Sequence, residues 1–144
     1  TSAVAVDINE NALAAALQNA RANGVADRFT MRLDDALSPS LLAGERFDAI
    51  ISNPPYIRSD EVPTLNHDVL CEPHAALDGG DDGLIFYRAI LDNFSQNLND
   101  NGMFIFEIGY DQGDDILQIA NERGMSCELF SDLGGNIRGA VIYP

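Results

Sequence analysis

Short apolar runs alternate along the chain with segments whose hydrophobic positions have helical spacing. The apolar runs predict strands at residues 3–6, 28–33, 47–51, 103–108, 125–130 and 137–143. The helical spacing predicts helices at residues 10–23, 84–98 and 114–123. Because strands and helices alternate, the pattern predicts an α/β fold with a mostly parallel sheet covered on both faces. The last two strands could form an antiparallel pair.

Two of the predicted helices have apolar faces that define candidate core positions. The first helix has Asn9 as a plausible N-cap and Gly24 as a plausible C-terminal stop. Its apolar face carries Leu13, Ala16, Leu17 and Ala20. The candidate core positions of the second helix are Ile85, Ala89, Leu91 and Leu98.

Length and composition favour one globular domain. The chain has 144 residues and is 46% hydrophobic, which is enough to form the buried core of one domain. It contains no apolar stretch of membrane-spanning length and does not start like a signal peptide, so we expect a soluble, cytoplasmic protein. Cys71 and Cys127 are too few for a disulfide framework or a zinc site, and we expect them to be reduced.

The charge balance disfavours a nucleic-acid substrate. The formal net charge is −15, and all eight basic residues are arginines scattered along the chain. Such a balance repels a phosphate backbone unless a basic patch offsets it. A basic partner domain outside these residues could still supply such contacts.

The segment Asn53, Pro54, Pro55, Tyr56 follows directly after the third predicted strand. Two prolines cannot donate to a sheet ladder, so the chain must leave the sheet there. The restricted backbone around proline holds the Asn53 carboxamide and the Pro54 carbonyl with little freedom. Together these two acceptors can bind both N–H groups of a planar amino or amide group and direct its nitrogen toward an electrophile. Tyr56 offers an aromatic surface for stacking.

The ordinary alternative is that the two prolines mark a turn, which Asn53 caps through its own side chain. Residues 53–57, however, resemble the N-P-P-Y/F motif of class I S-adenosylmethionine-dependent methyltransferases that act on exocyclic or amide nitrogens. Residues 72–84 resemble the E-P-x-x-A-L-x-G-G-x-D-G-L stretch of the HemK/PrmC family, whose members methylate the N5 of a glutamine in class-1 peptide chain release factors. The resemblance runs over essentially the whole chain and suggests no domain boundary inside residues 1–144.

The resemblance implies a Rossmann-like class I methyltransferase sheet with strand order 3-2-1-4-5-7-6, S-adenosylmethionine as the cofactor and a release factor as the protein partner. The family's first strand, its glycine-rich cofactor loop and its N-terminal helical domain have no counterpart here. Without the first strand, two strand edges in mid-sheet would be unpaired. We therefore expect the chain to be the C-terminal part of a catalytic domain in a longer protein, or to borrow a strand.

Two acidic residues at strand ends are candidates for cofactor binding. Asp7 closes the first predicted strand, where an acidic side chain can accept hydrogen bonds from both ribose hydroxyls. The alternative is that Asp7 joins Asn9 in capping the next helix. Asp35 matches the family's acidic residue facing the adenine amino group, although Asp34 stands where that family has glycine. For this pair a solvated turn is nearly as good an interpretation.

The resemblance also assigns roles within the catalytic and substrate-binding set. Asn53 is expected to contact both the cofactor and the substrate, and Glu72 to brace the corner, unless it is an ordinary acid on a surface loop. The catalytic set is Asn53, Pro54 and Tyr56, and the substrate-binding set is Asn53, Pro54, Pro55, Tyr56 and Glu72. The resemblance gives a scaffold role to Glu107, Gly109, Gln112 and Arg138.

Other candidate residues are not predicted to act in catalysis or metal binding. No residue near His67 or His74 in the sequence stands at a spacing that indicates catalysis, so we assign neither histidine a catalytic role. The aspartates between residues 78 and 82 lack the alternating ligands and terminal glutamate of a calcium loop. The long connection from residue 56 to residue 82 is expected to be functional because such loops are uncommon in compact domains.

These observations favour transfer of a methyl group to a glutamine N5 amide, with no metal. One alternative is methylation of adenine or guanine amino groups in nucleic acid, because the same corner serves both acceptors. The other alternative is that residues 1–144, without the glycine-rich loop, neither bind cofactor nor catalyse transfer by themselves.

Overall fold

The computed structural model describes residues 1–144, which form two compact units, residues 1–41 and residues 42–144. The first unit consists of β1 (Ala3–Asp7), α1 (Glu10–Ala22), a short 3-10 helix (Ala26–Arg28) and β2 (Phe29–Leu33). β1 and β2 pair in parallel, with Ala3 opposite Phe29 and Asp7 opposite Leu33. This unit is therefore a β-α-β arrangement.

The second unit contains a four-stranded sheet with helices between its strands. Its elements are β3 (Phe47–Ser52), α2 (His67–Leu70), α3 (Ile85–Phe94), β4 (Leu98–Glu107), α4 (Gly113–Glu122), β5 (Ser126–Ser131) and β6 (Ile137–Tyr143). Short 3-10 helices lie at Val62–Thr64, His74–Ala76 and Ser95–Asn97. The strand order is β3-β4-β6-β5, with β3 parallel to β4 and β6 antiparallel to both of its neighbours. The predicted fold class and the antiparallel closing pair are confirmed.

The core of the second unit lies between α3 and one face of the sheet. The ring of Tyr87 on α3 meets the edge of Phe106 on β4, with centroids 5.4 Å apart, and Phe106 stacks on Phe104 at 5.9 Å. All three side chains are fully buried. Other fully buried side chains in this unit are Leu91, Ile108, Ile116 and Ile142. The α3 helix contributes Tyr87, Ile90, Leu91 and Phe94, a spacing typical of one helix face.

The structure confirms most predicted elements and corrects details of two. The Asn9 side chain accepts a hydrogen bond from the Asn11 N–H, so the predicted cap of α1 is confirmed. The core position at Ile85 is wrong, because this residue lies in the first turn of α3 and is 45% exposed. The predicted helix over residues 84–98 stops being α-helical at Phe94 and continues as one 3-10 turn.

β4 begins five residues earlier than the hydrophobic pattern predicts. Phe47 lies opposite Leu98, but Ala49 lies opposite Met103, so β4 carries extra residues across an irregular part of the ladder. Asn101 has a φ of 64° within this stretch, a left-handed conformation that asparagine tolerates better than most residues. This left-handed residue therefore lies inside the strand.

β1 pairs only with β2, and β3 pairs only with β4, so each of these strands has one unpaired edge. No helix in the protein combines the length and apolar character needed to cross a bilayer.

Replacing Phe104 with alanine should lower the free energy of unfolding by about 3–5 kcal/mol, because the buried ring would leave a cavity. Urea denaturation followed by circular dichroism measures this change. Leu133→Ala is the control, because Leu133 is fully exposed and its loss should change stability by less than about 0.5 kcal/mol. Similar losses for the two variants would contradict the assignment of the core.

Candidate functional site

The corner formed by residues 53–56 lies at the carboxyl end of β3. β3 ends at Ser52, which is opposite Phe106 in the parallel ladder with β4, so Asn53 emerges where both strands end. Pro54 is buried, whereas Asn53 is exposed, and the Asn53 carboxamide makes no hydrogen bond to another protein group. Its donors and acceptor are therefore free to meet a ligand. This edge of a parallel sheet is where open α/β folds bind ligands.

Two glycines of the 72–84 segment allow the corner to pack directly on backbone. A Cβ at Gly79 would lie 2.8 Å from the Pro55 carbonyl oxygen and 2.8 Å from the Tyr56 Cα. A Cβ at Gly83, whose φ is +74°, would overlap the Tyr56 carbonyl oxygen. Larger residues at these positions would push the corner outward, which gives a physical reason for the glycines of this motif.

The carboxamide of Gln112 joins the corner to the glycine segment. Its Nε2 donates to the Tyr56 carbonyl at 3.0 Å and to the Gly83 carbonyl at 3.2 Å. Its Oε1 accepts from the Gly109 N–H at 2.9 Å. Gln112 is only 7% exposed, and its bonds to Gly109 and Gly83 are buried, while its bond to Tyr56 is partly buried. One buried side chain thus satisfies three backbone groups from three segments.

Backbone bonds complete the attachment of the corner to the loop that follows it. The Ile57 N–H donates to the Leu77 carbonyl at 3.0 Å, and the Ile57 carbonyl accepts from the Gly79 N–H at 2.8 Å. Ser59 Oγ donates to Asp78 Oδ1 at 2.7 Å, and this bond lowers the pKa of the Asp78 carboxyl. The end of the long connection, at residues 77–79, is therefore bonded to its beginning at Ile57 and Ser59.

The Tyr56 side chain is held by a second group of polar contacts. Arg138 donates from one terminal nitrogen to the Tyr56 hydroxyl at 3.2 Å and to Glu107 Oε1 at 3.1 Å. The Tyr87 hydroxyl donates to the Glu107 carbonyl at 3.0 Å. Burial, with smaller contributions from Tyr56 and Glu107, raises the pKa of Tyr87 above its usual range, so its hydroxyl remains a neutral donor.

A cavity of about 500 Å³ opens beside Asn53. Its wall includes the ends of β3 and β4 and the start of the β5–β6 turn. The side chains that give it chemical character are Asn53, Glu107, Phe130, Asp132 and Arg138. It combines an apolar surface with both signs of charge and an unbonded carboxamide, which suits a small polar group carried on a longer chain.

The first unit carries the two aspartates predicted to bind cofactor. Asp7 Oδ1 accepts from the Asn9 N–H at 2.8 Å, so the capping contact considered from the sequence is present. Asp7 Oδ2 makes no hydrogen bond to the protein. Asp35 is exposed, and its Oδ1 accepts from the Leu37 N–H at 2.8 Å. Both residues retain acceptor capacity for a ligand.

The remaining candidates lie outside the corner. Glu72 is exposed, and no hydrogen bond or ion pair joins its carboxylate to residues 53–56. His74 Nδ1 lies 3.7 Å from Asp78 Oδ2, and the two are neighbours on one turn. Cys71 and Cys127 are free thiols. No group of three or more histidine, cysteine or acidic side chains could hold a metal ion.

Comparison with protein families places the chain in a class. A family model described as "Methyltransferase small domain" matches residues 1–102. Because this match covers well over half of the chain, the protein belongs to that family.

Individual relatives point to a more specific group of methyltransferases. The chain is 40% identical over 140 residues to a release factor glutamine methyltransferase of Clostridium botulinum, covering 96% of this chain and 50% of that protein. It is 43% identical over 141 residues to a release factor glutamine methyltransferase of Moorella thermoacetica, covering 96% of this chain and 49% of that protein. The chain thus spans about half the length of the curated relatives it matches. These names confirm the resemblance that the motifs indicated.

Solved structures support the fold. A ribosomal protein L11 methylase from Lactobacillus delbrueckii subsp. bulgaricus aligns with a TM-score of 0.65 at 21% identity, covering 99% of this chain and 57% of that one. A Streptococcus mutans protein in complex with SAH aligns with a TM-score of 0.63 at 14% identity, covering 99% of this chain and 75% of that one. At these identities the likeness shows the fold alone.

Sequence reasoning placed Gln112 and Arg138 in the scaffold and missed that both hold Tyr56. The family motif containing Gln112 was visible, but a motif match does not say which backbone groups a side chain meets. The signal that could have found Gln112 is a long polar residue in the short turn between a buried strand and the next helix, since a buried amide there must be satisfied inside the protein.

Replacing Gly79 with alanine should destabilise the protein by about 1–3 kcal/mol, because the new methyl group would meet backbone that cannot rotate away. Thermal and urea unfolding measure the loss. Gly134→Ala is the matched control, because a Cβ there would meet only polar side chains on an exposed turn, 3.1 Å from Asp132 Oδ1. Equal stability of the two variants would contradict the close approach of the corner to Gly79.

Proposed function

We propose that the whole protein transfers a methyl group from S-adenosylmethionine to the N5 amide nitrogen of a glutamine in a class-1 peptide chain release factor. Residues 1–144 form part of its catalytic domain, which acts in the cytoplasm. The observation that carries the proposal is the unbonded Asn53 carboxamide on a corner fixed by Gln112 and the glycine segment. The names of the curated relatives support glutamine as the acceptor.

The proposed chemistry assigns a separate task to each corner residue. The Asn53 side-chain oxygen and the Pro54 carbonyl accept the two N–H bonds of the acceptor amide, and Tyr56 stacks against its plane. An amide nitrogen is a poor nucleophile because its lone pair is delocalised into the carbonyl. Positioning, together with acceptors that favour positive charge developing on that nitrogen, therefore provides most of the acceleration. Pro55 fixes the corner, and Glu72 acts at most as support for the loop.

The cofactor assignment is tested by the acceptor groups in the first unit. The free Asp7 Oδ2, together with Oδ1, offers acceptors for two ribose hydroxyls, and exposed Asp35 offers acceptors for an adenine amino group. These groups fit S-adenosylmethionine, which when bound supplies a methyl group on a sulfonium. Asn53 completes the proposed cofactor set.

A nucleic-acid amino group is a weaker second candidate. The corner would accept an adenine amino group as readily as an amide, since both are planar NH₂ groups. A net charge of −15, however, opposes binding of a phosphate backbone. The curated relatives named above act by name on release factors.

Asn53→Ala should lower methyl transfer to the release-factor glutamine by about 100-fold or more, because one of the two acceptors that orient the amide is lost. Asn53→Asp should retain more activity than Asn53→Ala, since a carboxylate oxygen still accepts an N–H bond. Mass spectrometry of the purified release factor after incubation with the whole protein and S-adenosylmethionine measures the added methyl group.

Asn19→Ala is the control for this assay, because Asn19 is exposed on α1 and should leave transfer unchanged. Cofactor affinity, measured by isothermal titration calorimetry, should fall much less than transfer in Asn53→Ala. Retained transfer in Asn53→Ala would remove Asn53 from its proposed role, and methylation of nucleic acid instead of the release factor would favour the second candidate.

A further inference from the structure

Gln112 holds a peptide unit of the corner from one side while the loop holds it from the other. The Tyr56 carbonyl, bonded to Gln112, and the Ile57 N–H, bonded to Leu77, belong to the same peptide plane. Gly79 permits backbone to lie against the Tyr56 Cα. The orientation of this peptide is therefore fixed at both of its polar atoms, and Gln112 supplies the only side chain among these contacts.

We propose that Gln112 is a positioning residue for methyl transfer, acting through the Tyr56 peptide without contacting the acceptor. This inference rests on the function proposed above. Tyr56 is two residues from Pro54, whose carbonyl is one of the two proposed acceptors, and the intervening proline transmits a change of backbone direction with little room to absorb it. Loss of the Gln112 bonds reorients the Pro54 carbonyl and the Tyr56 ring together.

The chemistry of the site requires a carboxamide at this position. Its nitrogen faces two carbonyl oxygens and its oxygen faces one N–H, so both kinds of polar atom are used. A glutamate of the same length would place an acceptor against the Tyr56 and Gly83 carbonyls. A methionine would fill similar volume but leave the three backbone groups without their partner, at a site that is 7% exposed.

The other buried polar side chain, Asn97, has a different task. It donates to the Leu42 carbonyl at 2.5 Å and to the Glu45 carbonyl at 2.8 Å, which lie before β3. Asn97 therefore ties a loop before β3 to the segment preceding β4, whereas Gln112 reaches the corner itself. Burial alone does not distinguish the two residues, but their partners do.

The test compares Gln112→Met and Gln112→Glu with Gln118→Met in the whole protein. Gln118 lies on the same helix, is exposed and bonds only to Glu122, so its replacement should leave turnover unchanged. Steady-state kinetics with the release factor should show kcat lowered by about 100-fold in both Gln112 variants, with the acceptor KM changed much less. Each kcat is expressed per folded molecule, with the folded fraction measured by circular dichroism.

A purely structural role for Gln112 would reduce the folded fraction without changing kcat per folded molecule, and that result would overturn the inference. A loss confined to the acceptor KM would also overturn it, because it would mean that Gln112 acts in binding. Normal kcat for Gln118→Met together with low kcat for both Gln112 variants supports it.

Hydrogen exchange provides a second readout that needs no acceptor. In Gln112→Met, the Ile57 and Gly79 amides should exchange at least about tenfold faster than in the unmodified protein, whereas the β4 amides keep their protection. Unchanged exchange at Ile57 would refute the positioning role, whatever the activity. If the unmodified protein transfers no methyl group to glutamine, the proposed function fails, and exchange at Ile57 still decides whether Gln112 holds the corner.

Discussion

The carboxamide of Gln112 is the contact on which the geometry of the corner depends. It joins three backbone segments that are distant in sequence: the corner after β3, the glycine segment after the long connection and the turn after β4. Apart from one isolated bridge between Ile57 and Asp78, none of these segments pairs with the others as strands. Because the Gln112 side chain is buried, each bond is costly to leave unmade. The glycines at positions 79 and 83 then allow backbone to meet backbone without intervening side chains.

In this arrangement, the groups that hold the corner in place differ from the group that is free to meet a ligand. At the end of the corner the Tyr56 carbonyl is bonded to Gln112, and Pro54 is buried, while the Asn53 carboxamide at its start is exposed and unbonded. A site that must orient a planar NH₂ group gains from fixed acceptors more than from a strong base, since an amide has little basicity to exploit. Arg138 extends the same logic to the Tyr56 ring, because it donates to the Tyr56 hydroxyl and is itself paired with Glu107.

The sequence was sufficient to predict the elements and the corner, because both follow from local chemistry. Apolar runs located the six strands to within a few residues, except for the start of β4, where an irregular ladder continues the strand through polar residues. The diproline segment showed where β3 must end. The role of Gln112 could not be predicted, since it depends on carbonyls 29 and 56 residues away that only the fold brings together. Ile85 was misplaced because helical periodicity leaves the first turn of a helix undetermined.

The central claim is that the corner is rigid before any ligand binds. Backbone ¹⁵N relaxation of the free protein tests it most directly at the Asn53 and Tyr56 amides, the two residues of the corner that carry an N–H. The account predicts order parameters of about 0.85 for both, equal to those of β4. Values below about 0.6 at these amides, with β4 remaining rigid, would show a flexible corner and contradict the account.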